Sequence, residues 1–112
     1  MSQAKTELFE DQLQDLAQLF KALGHPARLQ ILQFLGARNT CYSGDLSEII
    51  PLSRTTIKQH LTELKKAGLI KGTTCGAKTN YCLNPKGIEQ LQAQGLSFCN
   101  CLNELPLQQN KC

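Results

Sequence analysis

The stretch from residue 53 to residue 72, SRTTIKQHLTELKKAGLIKG, combines a helix start with many side chains that can bind a polyanion. Ser53 is a strong N-cap, Gly68 is a typical helix terminator, and Ile57, Leu61 and Leu64 form a buried stripe between them. The opposite face carries arginine, lysine, glutamine and threonine, which read base edges and bind phosphates in duplex DNA. The spacing therefore predicts a helix over residues 54–67 whose N-terminal part enters a major groove.

The candidate DNA-binding residues lie on this helix and on the segment that follows it. We expect the exposed helix face to set sequence preference and the flanking lysines to bind the phosphate backbone. His60 either contacts phosphate or packs locally, and the sequence leaves both roles open. The candidates are Ser53, Arg54, Thr55, Thr56, Lys58, Gln59, His60, Thr62, Lys65, Lys71 and Lys78.

The positive charge of the chain is concentrated in the same region. Residues 51–86 carry seven lysines and arginines against one acid, a net charge of +6, whereas residues 1–50 carry −2 and residues 87–112 carry −1. Such a local field favours a polyanionic partner. A solvated basic surface would have the same charge, so DNA is favoured by the coincidence of cap, short turn, exposed polar face and basic hairpin.

Six cysteines, at positions 41, 75, 82, 99, 101 and 112, raise the alternative of metal binding or thiol chemistry. The N-terminus is polar and unlike a signal peptide, so we expect a cytoplasmic protein with reduced thiols and no disulfide framework. Side chains two residues apart diverge by about 200° on a regular helix, so Cys99 and Cys101 share an ion only where the helix frays. The other reading is that they are core or incidental residues. The weak metal-ligand candidates are Cys99, Cys101, Cys112 and Cys41.

A second cysteine arrangement falls on the predicted hairpin. A two-residue turn at Ala77 and Lys78 would place Cys75 opposite Asn80 and make Cys82 its diagonal neighbour on the same face. That spacing would allow a redox pair.

The elements that position these residues are mostly helical. The chain has 112 residues, which fits one domain, and no apolar run approaches the roughly 18 residues of a membrane span. We expect a winged helix-turn-helix, mainly α with a small β-hairpin, in the order α-α-α-α-β-β-α, over residues 1–105, followed by a flexible tail at 106–112. The predicted helices start near residues 8, 26, 44, 54 and 85, and the predicted strands cover residues 69–74 and 79–83.

Three segments resemble the ArsR-type winged-helix repressors. The stretch from Leu23 to Leu32, LGHPARLQIL, resembles that family's signature L-(S/G)-x-P-x-R-L-x-I-L; SRTTIKQHLTELKKAGLI resembles its recognition helix, and Tyr81-Cys82-Leu83 resembles its second wing strand. The resemblance spans about residues 8–100. It implies a homodimeric transcriptional repressor that pairs through its first and last helices and leaves operator DNA when an effector binds.

The effector sites of that family are only partly present in this chain. The family's thiolate site carries Cys-x-Cys at the start of the short helix; here Cys41 is present and Ser43 stands in the second position. Its zinc site uses Asp and His on the last helix, whereas the two histidines here are His25 and His60. No cofactor is required, and a thiolate-bound metal or metalloid, or a redox signal, stays open as the effector.

Two rival classes of function are weaker. The sequence contains no Gly-rich phosphate loop, no paired buried carboxylates on one helix and no Ser-His-Asp ordering, so we expect no enzyme. A winged-helix module that binds proteins instead of DNA is the alternative, and the face formed by Arg54, Lys58 and Gln59 argues against it.

Overall fold

The computed structural model describes residues 8–38, 41–75 and 78–103. Within them, four α-helices, a single 3₁₀ turn and three short strands follow one another. The elements are α1 (Asp11–Ala22), α2 (Pro26–Gly36), β1 (Tyr42–Ser43), a 3₁₀ helix (Leu46–Glu48), α3 (Arg54–Lys66), β2 (Ile70–Cys75), β3 (Lys78–Leu83) and α4 (Pro85–Asn103). No helix in these ranges is both long and apolar enough to cross a membrane.

This architecture confirms the winged helix-turn-helix and corrects two of its parts. The predicted third helix is only the 3₁₀ turn, because the chain before it is engaged as strand β1 and Pro51 follows closely after it. The expected hairpin is a three-stranded antiparallel sheet in the order β1-β3-β2. Strand β1 pairs Tyr42 with Tyr81 and Ser43 with Asn80.

The register of the wing differs from the predicted one. Cys75 pairs with Lys78, and Lys71 pairs with Cys82. The predicted placement of Cys75 opposite Asn80 is therefore wrong, because the turn falls one residue earlier than expected. Cys82 lies four residues along the strand from the partner of Cys75, so these two cysteines are not neighbours.

Helix α3 begins and ends where the sequence predicts. The Ser53 hydroxyl oxygen accepts a hydrogen bond from the backbone N–H of Thr56 at 3.2 Å. Gly68 follows the helix with a φ of +78°, a left-handed conformation that favours glycine. The predicted stripe is buried, since Leu64 is fully inaccessible and both Ile57 and Leu61 lie in the core.

The last helix packs against the turn that ends α3. A Cβ atom at Gly87 would collide with the carbonyl oxygen of Gly68, so only glycine allows this approach. The Asn84 side chain donates to the same carbonyl oxygen at 2.9 Å, and the Asn84 backbone N–H donates to Leu69 O at 2.9 Å. These contacts fix α4 and the wing relative to α3.

The core gathers apolar residues from α1, α2, the 3₁₀ turn, α3 and β2. The terminal helices also carry apolar side chains that the chain does not cover. The apolar spacing of the last helix predicts that Leu96 and Phe98 point inward, but both are exposed on α4. Helix α1 begins at Asp11 and not near residue 8. Thr6, whose side chain the sequence predicts as the cap of this helix, lies outside the described residues. The exposed apolar residues of the two ends are Leu8, Phe9, Leu13, Phe20, Leu96, Phe98 and Leu102.

Candidate nucleic-acid interface

Helix α3 presents a continuous polar face to solvent. Thr55, Lys58, Gln59 and Thr62 are all exposed and lie on the side of the helix opposite the buried stripe. With Ser53 as N-cap, the first-turn backbone N–H groups and the positive end of the helix dipole lie next to this face. The arrangement offers hydrogen-bond donors and acceptors for base edges beside groups that attract phosphate.

Arg54 lies at the edge of this face and contacts an acid that the sequence reading did not single out. Its Nε atom donates to Oδ2 of Asp45 at 2.7 Å, while the Arg54 side chain stays 83% exposed. Exposed ion pairs of this kind are weak, and the contact leaves the Nη donors for phosphate or guanine. Asp45 therefore orients the arginine without covering it.

Asp45 is itself held by Ser47, which lies in the 3₁₀ turn that Asp45 begins. The Ser47 hydroxyl donates to Oδ1 at 2.6 Å and the Ser47 backbone N–H donates to it at 3.0 Å. These two bonds, and then the Arg54 guanidinium, lower the pKa of Asp45 below its ordinary value. The carboxylate is thus a fixed negative charge at the N-terminal end of α3.

His60 packs inside the protein, which corresponds to the second of the two roles that the sequence leaves open. It is only 7% exposed, and its Nδ1 atom accepts a hydrogen bond from Nε of Arg28 at 3.1 Å. Its ring centroid lies 4.3 Å from that of His25. Burial lowers the pKa of His60, and the charges of His25 and Arg28 lower it further, which favours the neutral ring. The ring thus packs between α3, to which it belongs, and α2, which carries Arg28.

Arg28 is a supporting residue that sequence reasoning missed, although it stands in the stretch LGHPARLQIL. Besides its bond to His60, its Nη1 atom donates to the carbonyl oxygens of Lys21 at 3.3 Å and Ala22 at 3.2 Å. It thereby joins the end of α1 to the middle of α3. A shallow surface depression beside α3 is lined by Arg28, Thr55, Lys58, Gln59, His60, Thr62 and Glu63.

The remaining candidates fall into two groups. Ser53 and Thr56 serve the cap, and their hydroxyls are also bonded to each other at 2.9 Å. Lys65 donates from Nζ to the carbonyl oxygen of Gly72 at 2.9 Å, which ties the end of α3 to the wing, and Lys71 is exposed on β2. The side chain of Lys78 lies outside the described part of the structure.

The cysteines are arranged differently from the expectation of six reduced thiols. Cys41 and Cys82 form a disulfide, so Cys41 is not a free thiolate ligand in this state. Cys99 and Cys101 are exposed free thiols on α4, and Cys112 lies outside the described residues. Within the described ranges, no group of three or more His, Cys, Asp or Glu side chains is placed to hold a metal ion.

Comparison with known proteins shows that the chain is similar to transcriptional regulators. A family model described as a helix-turn-helix domain matches residues 23–73, from the end of α1 to the wing. The chain is 33% identical over 96 residues to the arsenical resistance operon repressor of Bacillus subtilis, covering 86% of this chain and 88% of that protein. It is 31% identical over 91 residues to a cadmium resistance transcriptional regulatory protein CadC homolog of Staphylococcus aureus, covering 81% of this chain and 75% of that one.

A solved structure agrees with these relatives. A possible transcriptional regulator for arsenical resistance superposes with a TM-score of 0.60 at 31% identity, covering 80% of this chain and 85% of that chain. The similarity extends over most of both chains.

Proposed function

Since the chain belongs to the ArsR-type family of winged helix-turn-helix transcriptional regulators, we propose that it is a homodimeric repressor that an effector releases from operator DNA. The observation that carries this proposal is the exposed polar face of α3, whose opposite face packs into the apolar core. DNA binding itself is the function of the family. The proposal adds that the protein represses transcription, that it is a dimer and that an effector releases it from DNA.

The residue types on α3 favour specific roles on the duplex. Gln59 can bond an adenine through two hydrogen bonds, and Arg54 can bond a guanine in the same way. Lys58, Lys65 and Lys71 supply charge for the phosphate backbone on either side. The surface would thus combine side chains that read bases with basic side chains that add affinity.

Dimerisation is supported by the apolar side chains that one chain leaves uncovered. Leu13 is 47% exposed and Phe20 is 43% exposed, one face of α1 seven residues apart. On α4, Phe98 is 38% exposed and its ring meets that of Phe20 edge to face with centroids 6.3 Å apart. A two-fold dimer that covers this surface would present two α3 helices to two half-sites.

The effector class follows from the relatives' names and from the thiols of this chain. Two relatives are named for arsenical and cadmium resistance, and soft ions of that kind bind thiolates. Cys99 and Cys101 lie exposed on α4, on the helix that we assign to the dimer surface. We place the protein in the cytoplasm, where operator DNA and such effectors meet, and assign it no catalytic role.

The test is a titration of duplex DNA at several salt concentrations. The probe is a duplex selected by the protein from a random library, compared with a random duplex of equal length. If six or more phosphates are contacted, the association constant should fall by about 10³ between 50 and 200 mM salt. No binding at low salt, or a flat salt response, would contradict the proposal and favour a protein-binding module.

A matched pair of variants locates the contact. Lys58→Ala should weaken binding to both duplexes alike and flatten the salt slope by about one unit. Lys21→Ala removes the same charge from an exposed position on α1 and should leave the slope unchanged. Equal behaviour of the two variants would mean that α3 does not lie on the DNA.

A further inference from the structure

We infer that Cys41 and Cys82 form a reversible dithiol–disulfide switch that sets DNA affinity by crosslinking the segment before α3 to wing strand β3. The inference deepens the proposed function and rests on it, since the affinity in question is that of the α3 face for duplex DNA. It names a regulatory pair other than the exposed thiols of α4.

The disulfide joins two segments that are otherwise paired only through the short strand β1. Cys41 directly precedes β1, its Cα atom lies 4.5 Å from that of Cys82, and 41 positions of sequence separate them. Strand β1 has two residues and pairs only through Tyr42 with Tyr81 and Ser43 with Asn80. A two-residue edge strand is a weak attachment, so the covalent bond is the main tether of this segment to the wing.

A short path of contacts leads from the crosslink to the DNA-binding face. Strand β1 runs through Gly44 into Asp45, the residue that begins the 3₁₀ turn and accepts the 2.7 Å hydrogen bond from Arg54. Opening the disulfide therefore frees β1 to move, and with it the acid that orients the first arginine of α3. The other end of the crosslink lies on β3, the strand paired with Lys71 of the wing.

Contacts on the other side of β1 limit the size of the effect. The Tyr42 ring packs edge to face on Phe34 with centroids 4.8 Å apart, and the Arg38 guanidinium lies 5.0 Å from the centre of the Tyr42 ring. These contacts survive reduction and keep the segment close to its place. We therefore expect reduction to weaken DNA binding and not to abolish it, because a looser site loses part of its pre-organisation.

The chemistry is thiol–disulfide exchange with a low-molecular-weight disulfide as the oxidant. Cys41 is exposed and Cys82 half-buried, so the Cys41 thiolate attacks the small disulfide first. That step forms a mixed disulfide at Cys41 and releases one thiolate. The Cys82 thiolate then attacks the Cys41 sulfur, closes the protein disulfide and releases the second thiolate. Two electrons pass to the small disulfide, and the two cysteine protons end on the released thiols.

The proposed location of the protein agrees with a switch. In a reducing compartment, disulfides of ordinary proteins are mostly transient, catalytic or redox-sensing, and seldom structural. A bond that joins the helix-turn-helix to its wing in such a compartment therefore reports the redox state directly to the DNA-binding unit.

The experiment compares the two redox states of the full chain. A variant with Cys75, Cys99, Cys101 and Cys112 all replaced by serine keeps only the proposed pair. It is equilibrated with oxidised glutathione or with dithiothreitol, alkylated for peptide mass mapping, and titrated by fluorescence anisotropy with the selected duplex. The oxidised form should show the Cys41–Cys82 crosslinked peptide and bind about three- to tenfold more tightly than the reduced form.

The controls keep the outcomes separate. Adding Cys41→Ser to the same variant should remove the redox response and leave the affinity at the reduced level. If the four-serine variant does not fold, the wild-type chain under both treatments, with the same peptide mapping, gives the comparison. A crosslink with equal affinity in both states, or no crosslink at all, overturns the switch and leaves the proposed function intact. Absence of DNA binding in both states overturns both.

Discussion

The helix-turn-helix buries most of its apolar residues, whereas the terminal helices leave several of theirs exposed. In the first region Ile31, Leu64 and Leu69 are completely inaccessible, so the unit that carries the polar face of α3 has a closed core within one chain. In the second region Leu13 and Leu102 are 47% and 53% exposed on α1 and α4. The contrast fits the proposed function, in which the polar face of α3 rests on the core of one chain and a dimer covers the apolar side chains of the terminal helices.

The largest expected effect is the loss of stability when a buried residue of the helix-turn-helix core is truncated. Leu64→Ala removes a fully buried side chain and should lower the free energy of unfolding by about 3 kcal/mol, from lost transfer energy and the cavity left behind. Leu29→Ala, at a position that is 49% exposed, should cost much less. Urea unfolding at one fixed protein concentration measures both. Equal losses would mean that the two positions are packed alike.

The next effect tests whether the exposed apolar surface of the terminal helices forms the proposed dimer contact. Leu13→Glu places a charge on the exposed apolar surface and should raise the dimer dissociation constant about 30-fold, or about 2 kcal/mol. Gln18→Glu adds the same charge on the opposite side of α1 and serves as the control. Sedimentation equilibrium measures the dissociation constants. A dimer that tolerates Leu13→Glu does not use this face, and a wild-type monomer at high concentration contradicts the dimer itself.

A smaller effect concerns the joint between the two regions. Arg28→Met removes the hydrogen bonds to the end of α1 and leaves Nδ1 of buried His60 without a partner, which should cost about 1–2 kcal/mol of unfolding free energy. Gln30→Met introduces the same side chain at an exposed position of α2 and should be nearly neutral. A neutral Arg28→Met would show that the arginine does not join the two regions.

The smallest effect is a dependence of stability on pH. The pKa of His60 is lowered in the folded protein, chiefly by burial and then by His25 and Arg28. Below the ordinary histidine pKa of about 6.5, His60 binds a proton more readily in the unfolded chain than in the folded chain. His60 therefore makes the free energy of unfolding fall as pH falls. Thermal unfolding at pH 7.5 and 5.5 should show a smaller drop for His60→Gln than for wild type. An equal drop would place the pH sensitivity elsewhere.

The local parts of the fold were predictable from the sequence because their causes are local. The cap at Ser53, the stripe of Ile57, Leu61 and Leu64, and the stop at Gly68 are all set by neighbouring residues, and the structure confirms them. The polar face of α3 follows from the same periodicity. The order of the remaining elements followed from the caps, apolar spacing and turn residues along the chain.

The parts that the sequence did not reveal depend on contacts between distant residues. Strand β1 is two residues long, too short for any periodicity, and exists only because β3 lies beside it. Cys41 and Cys82 are 41 positions apart, and cysteine pairing cannot be deduced from spacing alone. The bond from Arg28 to His60 spans 32 positions. Such contacts become visible only when the chain is folded.

The most direct test of the account is the base preference that α3 imposes. Duplexes should be selected from a random library by the wild-type protein and by the Gln59→Ala and Lys65→Ala variants, then sequenced. We expect wild type to select a two-fold symmetric site with half-sites about one helical turn apart. Gln59→Ala should lose preference at one base pair in each half-site, and Lys65→Ala should select the wild-type sequence with lower affinity. The same selected sequence for wild type and Gln59→Ala, or none for wild type, would contradict the claim that this face reads DNA.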